Sequence, residues 1–100
     1  MSAICKLEDV PEGGVLRVEL PDGRALAVYQ WEGQFYCTDD LCSHGEASLS
    51  DGEIEDGLIV CPFHMGSFCI KTGEPRDAPC SVPIRTYRVT VSDGEIVLEN

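Results

Sequence analysis

The sequence predicts an all-β protein, and two observations lead to this prediction. Apolar residues alternate with polar ones at a period of two, as where Leu16, Val18 and Leu20 are separated by Arg and Glu. Pairs of an acidic residue and glycine separate these runs, and such pairs favour tight hairpin turns because both central residues tolerate positive φ. The pairs are Asp22-Gly23, Glu32-Gly33, Asp51-Gly52, Asp56-Gly57 and Asp93-Gly94. No stretch shows a helical periodicity of useful length.

The individual elements follow from this pattern. We expect strands near residues 3–7, 14–20, 25–31, 34–37, 53–55, 58–61, 67–70, 86–92 and 95–98. The two terminal parts alternate most regularly, so they are predicted to form an antiparallel base, either a β-sandwich or a barrel. Residues 38 to about 80 hold most of the cysteines and both histidines, which predicts a loop-rich subdomain inserted into that base. Residues 1–100 thus form one domain, in which residues 74–79 are expected to be a covering loop.

The charge and the cysteine content limit the class of function. The formal net charge is −11, and nucleic acids and anionic membranes both require a basic surface, so neither is an expected partner. The first residues do not resemble a secretory signal, and no apolar run approaches the roughly 20 residues that span a bilayer. We therefore expect a cytoplasmic protein, where six cysteines are more often metal ligands than disulfides.

The two histidines of the chain are each paired with a cysteine. The pairs are Cys42-Ser43-His44 and Cys61-Pro62-Phe63-His64, which together read C-x-H-x16-C-x2-H. A one-residue spacer in extended chain puts both side chains on one side, and a two-residue spacer in a tight turn does the same. Two loops that each offer one thiolate and one imidazole can therefore converge on a common metal centre.

The order of the ligands distinguishes between two kinds of metal centre. A single zinc ion accepts two Cys and two His, but zinc fingers usually keep the two cysteines together and the two histidines together. Interleaved ligands suit a two-iron cluster, because each loop can send its Cys to one iron and its His to the other, as in a Rieske centre. Gly45 and Gly66 near the histidines would let backbone N–H groups approach cluster sulfur, and Pro62 would stiffen the second loop. A zinc site remains the alternative.

Three segments resemble the Rieske ferredoxins of bacterial aromatic-ring-hydroxylating dioxygenase systems. They are Cys42-Ser43-His44-Gly45, Leu49-Ser50-Asp51-Gly52 and Cys61-Pro62-Phe63-His64-Met65-Gly66-Ser67-Phe68. The resemblance covers nearly the whole chain and implies an antiparallel Rieske fold. It also implies one 2Fe-2S cluster per chain, bound by Cys42, His44, Cys61 and His64.

The high-potential Rieske proteins of respiratory complexes differ from this chain at four positions that can be compared in the sequence. Their loop disulfide cannot form here, because the matching residues are Ala47 and Phe63. Their hydroxyl donors to the cluster are replaced by Gly66 and Phe68. Since such hydroxyls raise the potential, the sequence predicts a value near the low end of the range, which is about −150 to +300 mV for Rieske centres.

The resemblance implies a monomeric electron carrier that is not itself an enzyme. An FAD-containing, NAD(P)H-dependent reductase would reduce it, and it would pass single electrons to a terminal oxygenase, with His44 and His64 at the exposed edge. Three alternatives remain: a small electron-supplying subunit of another oxygenase or reductase, the Rieske domain of an oxygenase α subunit, and a structural zinc module.

The remaining notable residues have simpler interpretations. Four cysteines lack ligand spacing and are expected to be small buried hydrophobes, namely Cys5, Cys37, Cys69 and Cys80. Phe63 and Met65 could be core residues or an apolar collar around a histidine. The acidic pair Asp39-Asp40 and residues 53–56 are expected to lie on a solvated face, although they are acidic enough for docking.

Overall fold

The regular secondary structure of the described residues consists almost entirely of antiparallel strands, which form three sheets. The computed structural model describes residues 2–41, 48–61, 66–77 and 83–99. Its strands are β1 (Ser2–Lys6), β2 (Val15–Glu19), β3 (Ala25–Trp31), β4 (Gln34–Asp39), β5 (Glu53–Glu55), β6 (Leu58–Val60), β7 (Ser67–Cys69), β8 (Pro75–Asp77), β9 (Thr86–Tyr87), β10 (Val89–Ser92) and β11 (Glu95–Leu98). Two short 3₁₀ helices occupy Leu7–Asp9 and Leu49–Asp51. The predicted all-β class is confirmed.

The three sheets are formed from different parts of the chain. The first sheet has the strand order β1-β11-β10, and the second has the order β2-β3-β4-β9. The third sheet, with the order β5-β6-β7-β8, comes entirely from the segment between β4 and β9. The base therefore combines both ends of the chain, and the third sheet is inserted into it.

The turns explain the register of the neighbouring strands. Both central residues have positive φ in the hairpin turns at Glu32-Gly33, Asp56-Gly57 and Asp93-Gly94, as the sequence predicted. Asp51-Gly52 is different, because it ends the 3₁₀ helix and Gly52 has a φ of −92°. The hairpin predicted there is wrong. Glycine is required at this position because a Cβ would overlap the carbonyl oxygen of Val60 on β6.

Two further predictions need correction. The expected single strand at 86–92 is two strands, of which β9 pairs with β4 while β10 pairs with β11 in a different sheet. Arg88 lies between them at the crossing from one sheet to the other. The expected covering loop at 74–79 contains the edge strand β8 instead. A proline is tolerated there because an edge strand has one side without ladder partners.

The central strand β3 separates two hydrophobic cores. Leu26 and Val28 belong to what we call the rear core, between the first two sheets, together with Val10, Val18, Cys37, Tyr87, Ile96 and Leu98. Ala27 and Tyr29 point the opposite way into the site-side core, together with Leu49, Ile59, Cys61, Phe68, Ile70 and Ile84. All four β3 residues are fully buried, because sheets cover both faces of the strand. Within the described ranges, no helix is long and apolar enough to cross a membrane.

Candidate metal centre

The base of the first predicted ligand loop is closed by pairing between its two ends. Leu41 and Ser48 form an isolated antiparallel bridge. The backbone N–H of Leu49 donates to the carbonyl oxygen of Asp40 at 2.7 Å. Residues 42–47, which include the predicted ligands Cys42 and His44, lie outside the described residues. The structure thus places the two ends of this segment side by side.

The second predicted ligand loop continues a β-hairpin. Beyond the last pair of β6 and β7, the backbone N–H of Cys61 donates to the carbonyl oxygen of Gly66 at 2.6 Å. Residues 62–65, with the predicted ligand His64, fall outside the part of the chain that is described. Four residues therefore connect two ends that a backbone hydrogen bond holds together.

The two loop bases meet on one hydrophobic core. Leu49, just after the first loop, and Cys61, at the start of the second, are both fully buried in the site-side core. The close approach of Gly52 to Val60 and the pairing of Glu53 with Val60 tie the same two segments together. Loops that leave one core from neighbouring bases can bring their side chains to a common centre.

Cys61 is the one predicted ligand among the described residues. Strand alternation puts it on the same side as Ile59, two positions earlier, and both side chains are fully buried. Its thiol is free, without a disulfide partner. A buried, unbridged thiol at the floor of the loop pair fits a ligand of an iron shielded from water. The described ranges contain no group of three or more His, Cys, Asp or Glu side chains that could hold a metal ion.

A polar network lies beside this floor. The Tyr29 hydroxyl and Thr38 Oγ1 are hydrogen-bonded at 2.8 Å, and both side chains are buried. Burial raises the pKa of Tyr29, and the nearby charge of Asp40 raises it further, while the hydrogen bond with Thr38 opposes the change. The phenol therefore stays protonated at all physiological pH values.

Asp40 shows where the sequence interpretation was wrong. It was expected on a solvated face, but only 1% of the residue is exposed. Its Oδ1 accepts the backbone N–H of Ser50 at 2.8 Å, and its Oδ2 lies 3.5 Å from Arg17 Nε. One feature of the sequence could have indicated that Asp40 belongs to the site. It lies two residues before the predicted ligand Cys42, and a carboxylate so close to a ligand can influence the metal centre.

Comparison with known proteins decides the family. Residues 1–88 match the family model described as the Rieske [2Fe-2S] domain. This chain belongs to that family. The Rieske domain is 48% identical over 97 residues to the ferredoxin component of the p-cumate 2,3-dioxygenase system of Pseudomonas putida, covering 96% of this chain and 82% of the relative.

Solved structures agree with this assignment. The Sphingomonas yanoikuyae B1 ferredoxin superimposes with a TM-score of 0.93 at 41% identity, over 99% of this chain and 97% of that one. A chain in the complex of reduced oxygenase and oxidized ferredoxin of carbazole 1,9a-dioxygenase gives a TM-score of 0.90 at 41% identity, over 97% and 90%. The antiparallel Rieske fold is thereby confirmed.

These relatives also establish the general role. They are ferredoxins or ferredoxin components, so this Rieske domain is an electron carrier and not itself an enzyme. Its cofactor is a Rieske-type 2Fe-2S cluster. The identity of its four ligands remains a prediction from the sequence.

Proposed function

We propose that this chain accepts single electrons from an FAD-containing, NAD(P)H-dependent reductase and delivers them to the terminal oxygenase of an aromatic-ring dioxygenase system. The observation that carries the proposal is the meeting of the two loop bases on one core, with the Cys61 thiol buried at its floor. The relative with 48% identity is named as the ferredoxin component of such a system, and a structural neighbour is in complex with its oxygenase.

Within this proposal, Cys42, His44, Cys61 and His64 would hold the cluster, with the two cysteines on one iron and the two histidines on the other. When bound, the 2Fe-2S cluster supplies a centre that gains or loses one electron. The buried position of Cys61 supports its assignment as a ligand, because the site-side core keeps water away from its sulfur. Residues 1–100 would form one domain, with a cluster-binding subdomain at about 38–80.

Iron analysis tests the kind of metal centre and separates a 2Fe-2S cluster from the zinc alternative. We expect the protein purified from cells to be brown and to contain iron and acid-labile sulfide in nearly equal amounts. It should also show the visible absorption and circular dichroism of a Rieske centre. A colourless protein with stoichiometric zinc would instead support a structural zinc module.

An exposed apolar side chain next to the first loop supports docking at this end of the molecule. Leu41 is 58% exposed and directly precedes the segment that holds Cys42 and His44. Among the described residues, Val91 on β10 is the one other large hydrophobic side chain with such exposure, at 51%, and it belongs to the first sheet. Leu41 would bury its side chain against the oxygenase or the reductase, since an exposed leucine gains about 1.5–3 kcal/mol on full burial.

Stopped-flow electron transfer to a purified oxygenase tests this docking surface, with Val91→Ser as the matched control for Leu41→Ser. Leu41→Ser should raise the Kd for the oxygenase about tenfold, while the control leaves it unchanged. Because the net charge is −11, encounter with a basic docking patch should also slow as ionic strength rises. A Leu41→Ser variant that binds the oxygenase as tightly as the wild type would contradict docking through Leu41.

The proposal includes a cytoplasmic location and a monomeric state. In the described ranges, Cys5, Cys37, Cys61 and Cys69 are free thiols, as is usual in a reducing compartment. Cell fractionation should find the protein with cytoplasmic markers, and sedimentation should give a mass close to the chain mass of 10.9 kDa. Recovery with a membrane or periplasmic fraction, or a dimer mass, would contradict these points.

A further inference from the structure

Asp40 joins three segments at the base of the first ligand loop. Its backbone N–H donates to the carbonyl oxygen of Ala25 on β3 at 3.0 Å, and its own carbonyl oxygen accepts the N–H of Leu49 at 2.7 Å. Its side-chain Oδ1 accepts the N–H of Ser50 at 2.8 Å. Ser48 precedes the 3₁₀ helix at Leu49–Asp51, and its side chain does not cap that helix. The N–H of Ser50 in the first turn is instead bonded by Asp40, from the other end of the loop.

The charge of Asp40 is buried and only partly neutralised. Its single ion-pair partner among the described residues is Arg17, whose Nε lies 3.5 Å from Oδ2. The Arg17 side chain is 49% exposed and also pairs with Glu19, at 3.3 Å between Nη2 and Oε1. A guanidinium that is half in water and shared between two carboxylates offsets a buried negative charge incompletely.

We propose that Asp40 is a positioning residue of the metal centre, with two separable roles. As a hydrogen-bond acceptor, its carboxylate fixes the distance between the two ends of the loop that carries Cys42 and His44. As a buried negative charge, it disfavours the gain of an electron at the centre and so lowers the midpoint potential, with Arg17 limiting the effect. The inference rests on the proposed ligand Cys42, two residues further along the chain.

The physical reasoning for the second role is electrostatic. The reduced centre carries one more negative charge than the oxidised one, so a nearby fixed negative charge destabilises the reduced form more. Two residues of extended chain span at most about 7 Å between Cα atoms, which keeps the Asp40 backbone close to that of the proposed ligand. A low effective dielectric strengthens such an interaction in a buried site compared with the solvent-exposed Glu19.

The test compares Asp40→Asn with Glu19→Gln, because each removes the charge of one carboxylate that pairs with Arg17. Asp40→Asn keeps the size of the side chain and the Oδ1 acceptor for Ser50, and half-exposed Arg17 can turn toward solvent. We expect Asp40→Asn to retain iron and sulfide and to raise the midpoint potential. The equilibrium constant for reduction should increase about tenfold, or about 59 mV for one electron. Glu19→Gln, at a side chain that is 72% exposed, should leave the potential almost unchanged.

A second pair of variants separates the hydrogen bond from the charge. Asp40→Leu removes both, so we expect a lower iron content per chain and faster loss of iron to a chelator. Arg17→Gln keeps a donor for Oδ2 but removes the positive charge, so the potential should fall while the iron content stays at the wild-type value. Direct voltammetry gives the potentials, and visible circular dichroism reports the state of the centre.

The outcomes that overturn the proposal are distinct. Equal shifts in Asp40→Asn and Glu19→Gln, or no shift in Asp40→Asn or in Arg17→Gln, would refute the electrostatic role. Wild-type iron retention in Asp40→Leu, or iron loss in Asp40→Asn, would refute the claim that the hydrogen bond positions the loop. A wild-type protein that binds no iron and sulfide would instead refute the proposed ligand set, independently of Asp40.

Discussion

The two hydrophobic cores on opposite faces of β3 differ in what they bury. The rear core contains mainly apolar side chains from both ends of the chain, together with the Cys37 thiol and Tyr87, whose hydroxyl donates to Asp39 Oδ1. On the other face, Thr38 lies opposite Ala27 in the β3–β4 ladder, and Asp40 follows two positions later on the same side. With Ser67 of the third sheet, they are the buried polar residues of the described chain. Buried polar groups are therefore concentrated beside the candidate metal centre.

This difference indicates that the two cores have different roles: the rear core mainly stabilises the fold, and the site-side core determines the positions of the loop ends. Apolar packing in the rear core holds the base together, and it tolerates changes that keep volume and polarity. Buried hydrogen bonds on the other face are directional, so they specify the positions of the loop ends. Substitutions in the two cores should consequently have different effects, even when the exchanged residues are the same.

The largest contrast is expected between cysteines of the two cores. Cys61→Ser, like Cys42→Ser, should abolish the metal centre, because serine does not replace a thiolate ligand of an iron–sulfur cluster. Cys37→Ser in the rear core should keep full iron and sulfide content and lose only stability. Iron and sulfide per chain measure both outcomes. Loss of iron in Cys37→Ser, with retention in Cys61→Ser, would contradict the assignment.

Alanine substitutions at two glycines extend the comparison, because one glycine is required by lack of space and the other by its positive φ. In Gly52→Ala, the new methyl group would overlap the Val60 carbonyl oxygen next to Cys61, although the φ of −92° suits any residue. We expect a loss of several kcal/mol in the free energy of unfolding and a lower iron content. Gly23→Ala has open space but a φ of +95°, so it should cost only about 1–2 kcal/mol and leave the iron content unchanged. Urea unfolding and iron analysis distinguish the two effects.

A hydroxyl added to each core should affect the midpoint potential differently. Phe68 is fully buried in the site-side core with Cys61, so Phe68→Tyr can offer a hydroxyl to the centre and should raise the potential by tens of millivolts. Gly66→Ser should act in the same direction. Phe35→Tyr, beside the rear core, is the control and should cause no shift. A wild-type midpoint well above zero would refute the predicted low potential.

The smallest expected effects concern thiol ionisation in Cys37 and Cys69. Burial raises the pKa of the Cys37 thiol to about 12. Partial burial would also raise the pKa of Cys69, but hydrogen bonds from Thr72 and from the backbone of Lys71 and Thr72 outweigh it and lower the pKa. Iodoacetamide at pH 8 should therefore modify Cys69 in the folded protein and leave Cys37 unmodified. Faster modification of Cys37 would mean that the rear core opens readily.

The raised pKa of Cys37 also predicts a pH dependence of stability. Because the folded pKa lies above the unfolded value of about 8.5, the folded state holds the proton more tightly. This contribution is complete below about pH 8.5 and declines as pH rises toward the folded value of about 12. Urea unfolding between pH 8 and 11 should show a smaller decline for Cys37→Ala than for the wild type. Equal slopes would show that other groups cause the decline.

Much of the fold could be predicted from local patterns in the sequence. The predicted bounds of the strands at 25–31, 53–55 and 95–98 agree with β3, β5 and β11, and three acidic-glycine pairs form the expected turns. The edge strand β8 was missed because its proline and short length resemble a loop. The division at Arg88 was missed because alternation continues across it, and only partner strands show that the sheet changes.

By itself, the sequence determined the all-β class, the hairpin turns and the spacing of the four predicted ligands. These properties depend on residues that are close neighbours along the chain. Only the tertiary structure decided that both faces of β3 are covered, that Gly52 lies against Val60 and that Asp40 is buried at the base of the first loop. Each of these depends on segments that are distant in sequence but in contact after folding, and such contacts leave no periodic signal in the chain.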